Sequence, residues 1–290
     1  MPEKITDLVI LTNKKKIFDN LSEIEQQYID SINISIPNLD TFNFDCELSY
    51  KIKYLTIGYM LYGYRYYINT NLVIPPLPYK LVELCIYNIK IGQLPKLPKT
   101  LQKLNCSNCQ LTELPELPKY LQKLNCCINN LQELPELPKS LNDLRCGDNK
   151  IEHLPELPNS IKYIDCNSNL LQKLPSLPKK LKYLDCYSNK LISLPELPDS
   201  LSYISCGINN ITHLEKLPKS LKIFSCCYNQ LTRLPSFPKL CFLINCSHNK
   251  LTELPELPNI LRYIDCSNNQ LTLLNKYNYI KNNYIKPLLI

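Results

Sequence analysis

Leu101 to Pro118 reads LQKLNCSNCQLTELPELP, and the same pattern returns at 121, 141, 161, 181, 201, 221, 241 and 261 with no inserted or deleted residue. A chain whose apolar residues recur at one long fixed step is built by stacking like units, because a single unit cannot bury its own apolar face. The repeat runs from Leu81 to Leu274, 194 of 290 residues, so one elongated solenoid is expected.

Within residues 101–120, Leu104 and Cys106 alternate with Lys103, Asn105 and Ser107, the period of a short strand with one face inward. Stacking such strands gives a parallel sheet with neighbours about 4.8 Å apart, on the order of 50 Å for the whole ladder. After each strand comes Asn129, Asn149, Asn169, Asn189, Asn209, Asn229, Asn249 or Asn269. Asn carries an amide donor and a carbonyl acceptor, so a column of Asn can satisfy backbone groups where each strand turns away. Cys109 and Ile89 stand in this column in the first two units. The return half, Leu111, Leu114, Pro115, Leu117, Pro118, holds two prolines that fix φ and remove donors, which predicts extended, helix-poor backbone. Positions 101, 104, 106, 111, 114 and 117 supply the core.

Leu-x-x-Leu-x-Cys-x-x-Asn-x-Leu-x-x-Leu-Pro-x-Leu-Pro resembles the leucine-rich repeat family in its short, twenty-residue form. It is similar to the repeat domains of bacterial type III secreted effectors, and its Cys-bearing strand resembles repeat proteins of giant DNA viruses and AT-rich microbes. The resemblance implies a repeat solenoid of the α/β class: a curved horseshoe with the sheet on its concave side, a polyproline-like convex side, and a role in protein recognition. The family's ligase-bearing effectors place a catalytic domain after or beside the repeats; sixteen residues follow Leu274, so that activity is not expected.

The flanks are read as caps for the exposed ends. Residues 1–60 form an N-terminal flank, with Asn20 three residues before Glu23 and Ile17, Leu21, Ile24 and Tyr28 at helical spacing, which predicts a helical cap over about 20–31. Residues 61–80 read as a degenerate first repeat through Leu61, Tyr64, Tyr66, Asn69, Ile74, Pro75, Leu77 and Pro78, followed by ten repeats over 81–274. Tyr277, Ile280 and Tyr284 predict a C-terminal cap or tail at 275–290.

Composition narrows the function. There is no Ala or Trp and only 5 Gly, as an AT-rich genome would favour, yet there are 23 Pro, of which nineteen fall in the columns of Pro115 and Pro118. The net charge of +7 makes no basic face: residues 1–60 carry six Lys against nine acids, and pairs such as Glu116 with Lys119 alternate along the repeat. Nucleic acid is therefore not an expected partner. Leu8 to Leu11 is too short for a secretory signal, and no segment approaches the roughly 20 apolar residues of a membrane span. An intracellular, cytoplasmic, monomeric protein is expected.

Nine of the 15 cysteines lie in the inward column from Cys106 to Cys266, where a thiol packs as a small hydrophobe. Their spacing does not match zinc ligands, and the single Cys106-x-x-Cys109 has no companion pair. Alternation turns Cys127 and Cys227 outward and makes them the thiols open to oxidation. His153, His213 and His248 sit in different columns and form no relay. No catalytic residue, metal ligand or cofactor site is expected, and the chain does not read as an enzyme.

The outward strand positions remain. Tyr163, Tyr183, Tyr203 and Tyr263 share one column, Asp165, Asp185 and Asp265 lie two residues on, and Tyr187 follows Asp185. Tyrosine supplies contact area with a polar tip at low rotamer cost, as at binding hot spots; equally, such tyrosines can serve only to pair across strands. The first reading makes these eight residues a protein-binding surface for a basic or mixed segment along the concave sheet. The alternative function is a substrate-recognition adaptor docking a ubiquitin ligase through residues 1–60.

Overall fold

Each twenty-residue step becomes one coil. The computed structural model describes residues 7–10, 31–35, 52–58 and 72–271. Two units divide the chain at Lys150 and Ile151. In residues 1–150 the strands are β1 (Asp7–Ile10), β2 (Ser31–Ser35), β3 (Tyr54–Gly58), β4 (Glu83–Tyr87), β5 (Lys103–Asn105), β6 (Lys123–Asn125) and β7 (Asp143–Arg145), paired in parallel and in chain order. Residues 151–290 hold β8 (Tyr163–Asp165), β9 (Tyr183–Asp185), β10 (Tyr203–Ser205), β11 (Ile223–Ser225), β12 (Leu243–Asn245) and β13 (Tyr263–Asp265), again parallel and sequential.

The inward columns close the core as their spacing requires. Leu181, Leu184, Cys186 and Leu191 are fully buried, and their counterparts Leu201, Ile204, Cys206 and Ile211 repeat the arrangement. Beyond Leu111 the backbone is neither helix nor strand until a turn at Lys119 and Tyr120. The second proline of each coil closes that turn: Pro118 O accepts from Leu121 N at 2.9 Å, and Pro138 O from Leu141 N at 2.9 Å. Proline loses nothing here, since only its carbonyl is needed. The hydroxyls of Thr100, Ser140 and Ser200, each just before an inward Leu, tie two carbonyls of the preceding coil, as Ser200 Oγ does with Lys179 O at 2.8 Å and Leu181 O at 2.6 Å.

The asparagine column is a buried spine. Asn189 Nδ2 donates to Cys166 O (3.0 Å), Cys186 O (3.1 Å) and Tyr187 O (3.3 Å), while its Oδ1 accepts from Leu171 N at 3.0 Å. One side chain thus joins two coils. Cys109 reproduces part of this: its thiol lies 3.4 Å from Ile86 O and 3.4 Å from Ser107 O, the same two directions served by the amide elsewhere.

The strand that precedes β4 is not where the column reading of 61–80 put it. β3 pairs with β4 through Tyr54 with Glu83 and Ile57 with Ile86, and Ile52, Leu55 and Ile57 fill the inward positions that Leu61, Tyr64 and Tyr66 were expected to hold. Upstream, Asp7 faces Ser31 and Ser31 faces Tyr54, so these coils are longer than twenty residues and unequal. A search for one fixed step cannot detect them. Residues 20–30 of the helical cap expected over about 20–31, the segment 61–71 and the tail beyond 271 lie outside the described residues, and Ser31, the last residue of that expected cap, opens β2 instead.

Candidate protein-binding face

The outward face of residues 151–290 is built by three rows that the parallel register holds side by side. At the first strand position Tyr163, Tyr183 and Tyr203 face one another in successive strands. Their rings stack at 4.1 Å and 4.2 Å between centroids, each pair 7° from parallel. Such contacts add about 0.5–1.5 kcal/mol beyond area burial. The column continues through Ile223 and Leu243 to Tyr263, so the tyrosines belong to a six-residue half-buried apolar ridge. Ile223 and Leu243 are not betrayed by residue type; the signal that places them on the ridge is their column position alone.

Two residues further along each strand the row turns polar. Asp165 and Asp185 are register partners, and Asp265 closes the row at β13. Asp185 Oδ1 accepts from Tyr187 N at 3.0 Å, while Asp165 Oδ1 accepts from Asn167 Nδ2 at 2.6 Å. Burial, then the neighbouring Asp165 charge, push the Asp185 carboxyl above its ordinary value. Tyr183 is also raised, first by burial and then by its hydrogen bond with Tyr163, so its hydroxyl is protonated at neutral pH.

Tyr187 lies across the next coil. A Cβ built on Gly207 would stand 3.0 Å from the Tyr187 ring and 2.7 Å from Cys227 Sγ, so glycine is what lets the ring settle there. Cys227 is consequently not the open thiol that alternation suggested: it is 6% exposed, and burial raises its pKa. Cys127 is partly exposed. None of the fourteen described cysteines is in a disulfide, and burial raises the column thiols, Cys186 and Cys226 among them, well above the ordinary 9.0. Cys106, Cys126, Cys166, Cys186 and Cys206 also point at the carbonyl one coil on, as Cys166 Sγ does at Asp185 O, 3.3 Å away.

The face of residues 1–150 has a different chemistry. Its equivalent column reads Glu83, Lys103, Lys123, Asp143, with Lys103 paired to Glu83 and Arg145 Nε 3.1 Å from Asp143 Oδ1. Four of these charges, Glu83 with Lys103 and Asp143 with Arg145, are paired within the chain. The histidines are scattered: His248 stacks on Tyr228 at 3.9 Å between centroids with Nε2 2.8 Å from Asn268 Nδ2, while His213 sits beside Thr212. Among the described residues no three metal-ligating side chains gather, and no helix is long and apolar enough to cross a membrane.

Coils wound at a fixed step, bound by a buried Asn spine and presenting an open parallel sheet, define a repeat-solenoid protein. The chain belongs to the leucine-rich repeat family. It is 30% identical to YopM, a leucine-rich effector protein from Yersinia pestis, over 84% of this chain and 78% of that one, with a TM-score of 0.62. YopM from Yersinia enterocolitica WA-314 is 31% identical over 84% of this chain, which spans 61% of that protein's length, with a TM-score of 0.57. The functional domain of InlJ from Listeria monocytogenes, a structure that includes a cysteine ladder, shares the fold at 24% identity and a TM-score of 0.64, over 86% of this chain and 60% of that one. No protein-family model and no curated protein sequence matches the chain.

Proposed function

We propose that the chain is a non-enzymatic recognition scaffold that binds a protein partner on the open sheet face of residues 163–265, through Tyr163, Asp165, Tyr183, Asp185, Tyr187, Tyr203, Tyr263 and Asp265. The supporting observation is the three-ring stack of Tyr163, Tyr183 and Tyr203 on a half-buried ridge next to a paired carboxylate row. Rigid aromatic side chains lose little entropy on binding, and a carboxylate that is already part-desolvated gives up less water to a cationic group. Column thiols buried in protonated form suit a reducing, intracellular setting.

Replacing Tyr203 by a photoreactive benzoylphenylalanine tests the placement, with Tyr120, exposed on the outer turn, as the control position. The expected result is a partner adduct from position 203 and none from 120. Equal adducts from both positions would overturn the reading.

A further inference from the structure

A third row borders the tyrosines on the other side. Immediately before the ridge stand Lys162, Lys182, Lys222 and Arg262, all exposed. Their register is fixed by the backbone, since Lys162 O accepts from Lys182 N at 2.9 Å and from Tyr183 N at 3.2 Å, and Lys182 O from Ser202 N and Tyr203 N likewise. The row is interrupted by Ser202, whose hydroxyl donates to Lys182 O at 3.0 Å, and by Phe242, over whose ring Arg262 lies at 5.6 Å. Crossing the face along a strand therefore passes from cations at its start, over an apolar ridge, to carboxylates at its end.

From this polarity, and resting on the reading of the face as a protein-binding surface, we infer that the occupant is an extended peptide segment of alternating acidic and basic residues, running along the Tyr183–Leu243 ridge across the strands. The two charged rows are separated by about 10 Å, three residues of strand at about 3.3 Å each. In an extended chain successive side chains project to opposite sides, so one set reaches the lysines and the next the aspartates. The tyrosine hydroxyls between them meet the peptide backbone as donors and acceptors. A uniformly basic segment meets Lys162, Lys182 and Lys222 unfavourably, and a uniformly acidic one meets Asp165 and Asp185 unfavourably. Alternation satisfies both rows at once, and like-charge contacts discriminate against the others.

Three labelled peptides of about eight residues, enough to cross the ridge at about 3.4 Å per residue, serve as probes of the full chain by fluorescence anisotropy at low salt. One alternates Glu and Lys, one has the same residues in two blocks, and one is all Lys. The alternating peptide is expected to bind at least about fivefold tighter than the other two. Lys182→Glu with Lys222→Glu, which leaves the ridge itself unchanged, should abolish that preference and favour the all-Lys peptide. If Tyr183→Ala with Tyr203→Ala removes binding but the three peptides bind alike, or the all-Lys peptide binds best, the face stands and the alternation is wrong. Failure of all three to bind also overturns the alternation. Binding indifferent to the tyrosine substitutions places the site elsewhere and overturns both readings.

Discussion

Asn189 satisfies four backbone groups from two coils in the dry interior. Alanine there leaves those groups buried without partners, so Asn189→Ala is expected to lower unfolding free energy by roughly 2–4 kcal/mol in urea titrations. One residue before each spine position, ten residues from Asn88 to Asn268 adopt left-handed φ, between 48° and 58°. Asn, Asp, Ser and His tolerate this conformation better than the β-branched Ile128 (57°) and Ile208 (48°). Ile208 is also 41% exposed, so little packing is lost when it is replaced. Ile208→Asn is expected to raise stability by up to about 1 kcal/mol in the same titration. The Asn column was legible in the sequence as a spine, whereas the left-handed column beside it was not. Its composition is too mixed to betray a shared conformation.

At the scale of the element, the strands are only three residues long from β5 to β13, and the register comes from the coils rather than from the strands. This is why the stacked tyrosines could be read from position alone: identical loop lengths place column on column. Gly207 tests how tightly the face is set. Its φ is not left-handed, so a methyl group costs only the displacement of Tyr187 and Cys227. Gly207→Ala is expected to destabilise by about 1–3 kcal/mol and to mobilise the Tyr187 ring, visible as loss of its near-ultraviolet dichroism. Where coil length varies the same reasoning fails. Ile52, Leu55 and Ile57 carry the Leu-x-x-Leu-x-Ile spacing of Leu81, Leu84 and Ile86, but the longer connection between them moved the pattern out of phase with the twenty-residue columns.

At the scale of the whole molecule, the column of buried thiols makes stability depend on alkaline pH. Cys186 and Cys226 in the column are raised well above the ordinary 9.0, and outside it Cys109 is raised to about 12 and Cys241 to about 11, all through burial first. A raised folded pKa means that the unfolded chain gives up protons first. The contribution is therefore complete below pH 9.0 and is lost as pH rises from there through the folded values. Urea midpoints are expected to hold between pH 7 and 8 and to fall steeply above about pH 9, with the slope reduced by Cys186→Ala. The fold class, the inward columns and the tyrosine ladder were legible because a solenoid makes position equivalent to environment. Cys227 was not, since its burial comes from the ring of Tyr187 lying across Gly207, a contact between coils that alternation within one strand does not encode.

Under the proposed function the tyrosine ridge is a binding surface and not part of the core. Tyr183→Ala with Tyr203→Ala, measured for partner affinity and urea stability in one preparation, tests this most directly. The expected result is at least about tenfold weaker binding with the cooperative transition retained and the column thiols still protected from alkylation. Undiminished affinity, or loss of affinity that simply accompanies unfolding, would contradict it.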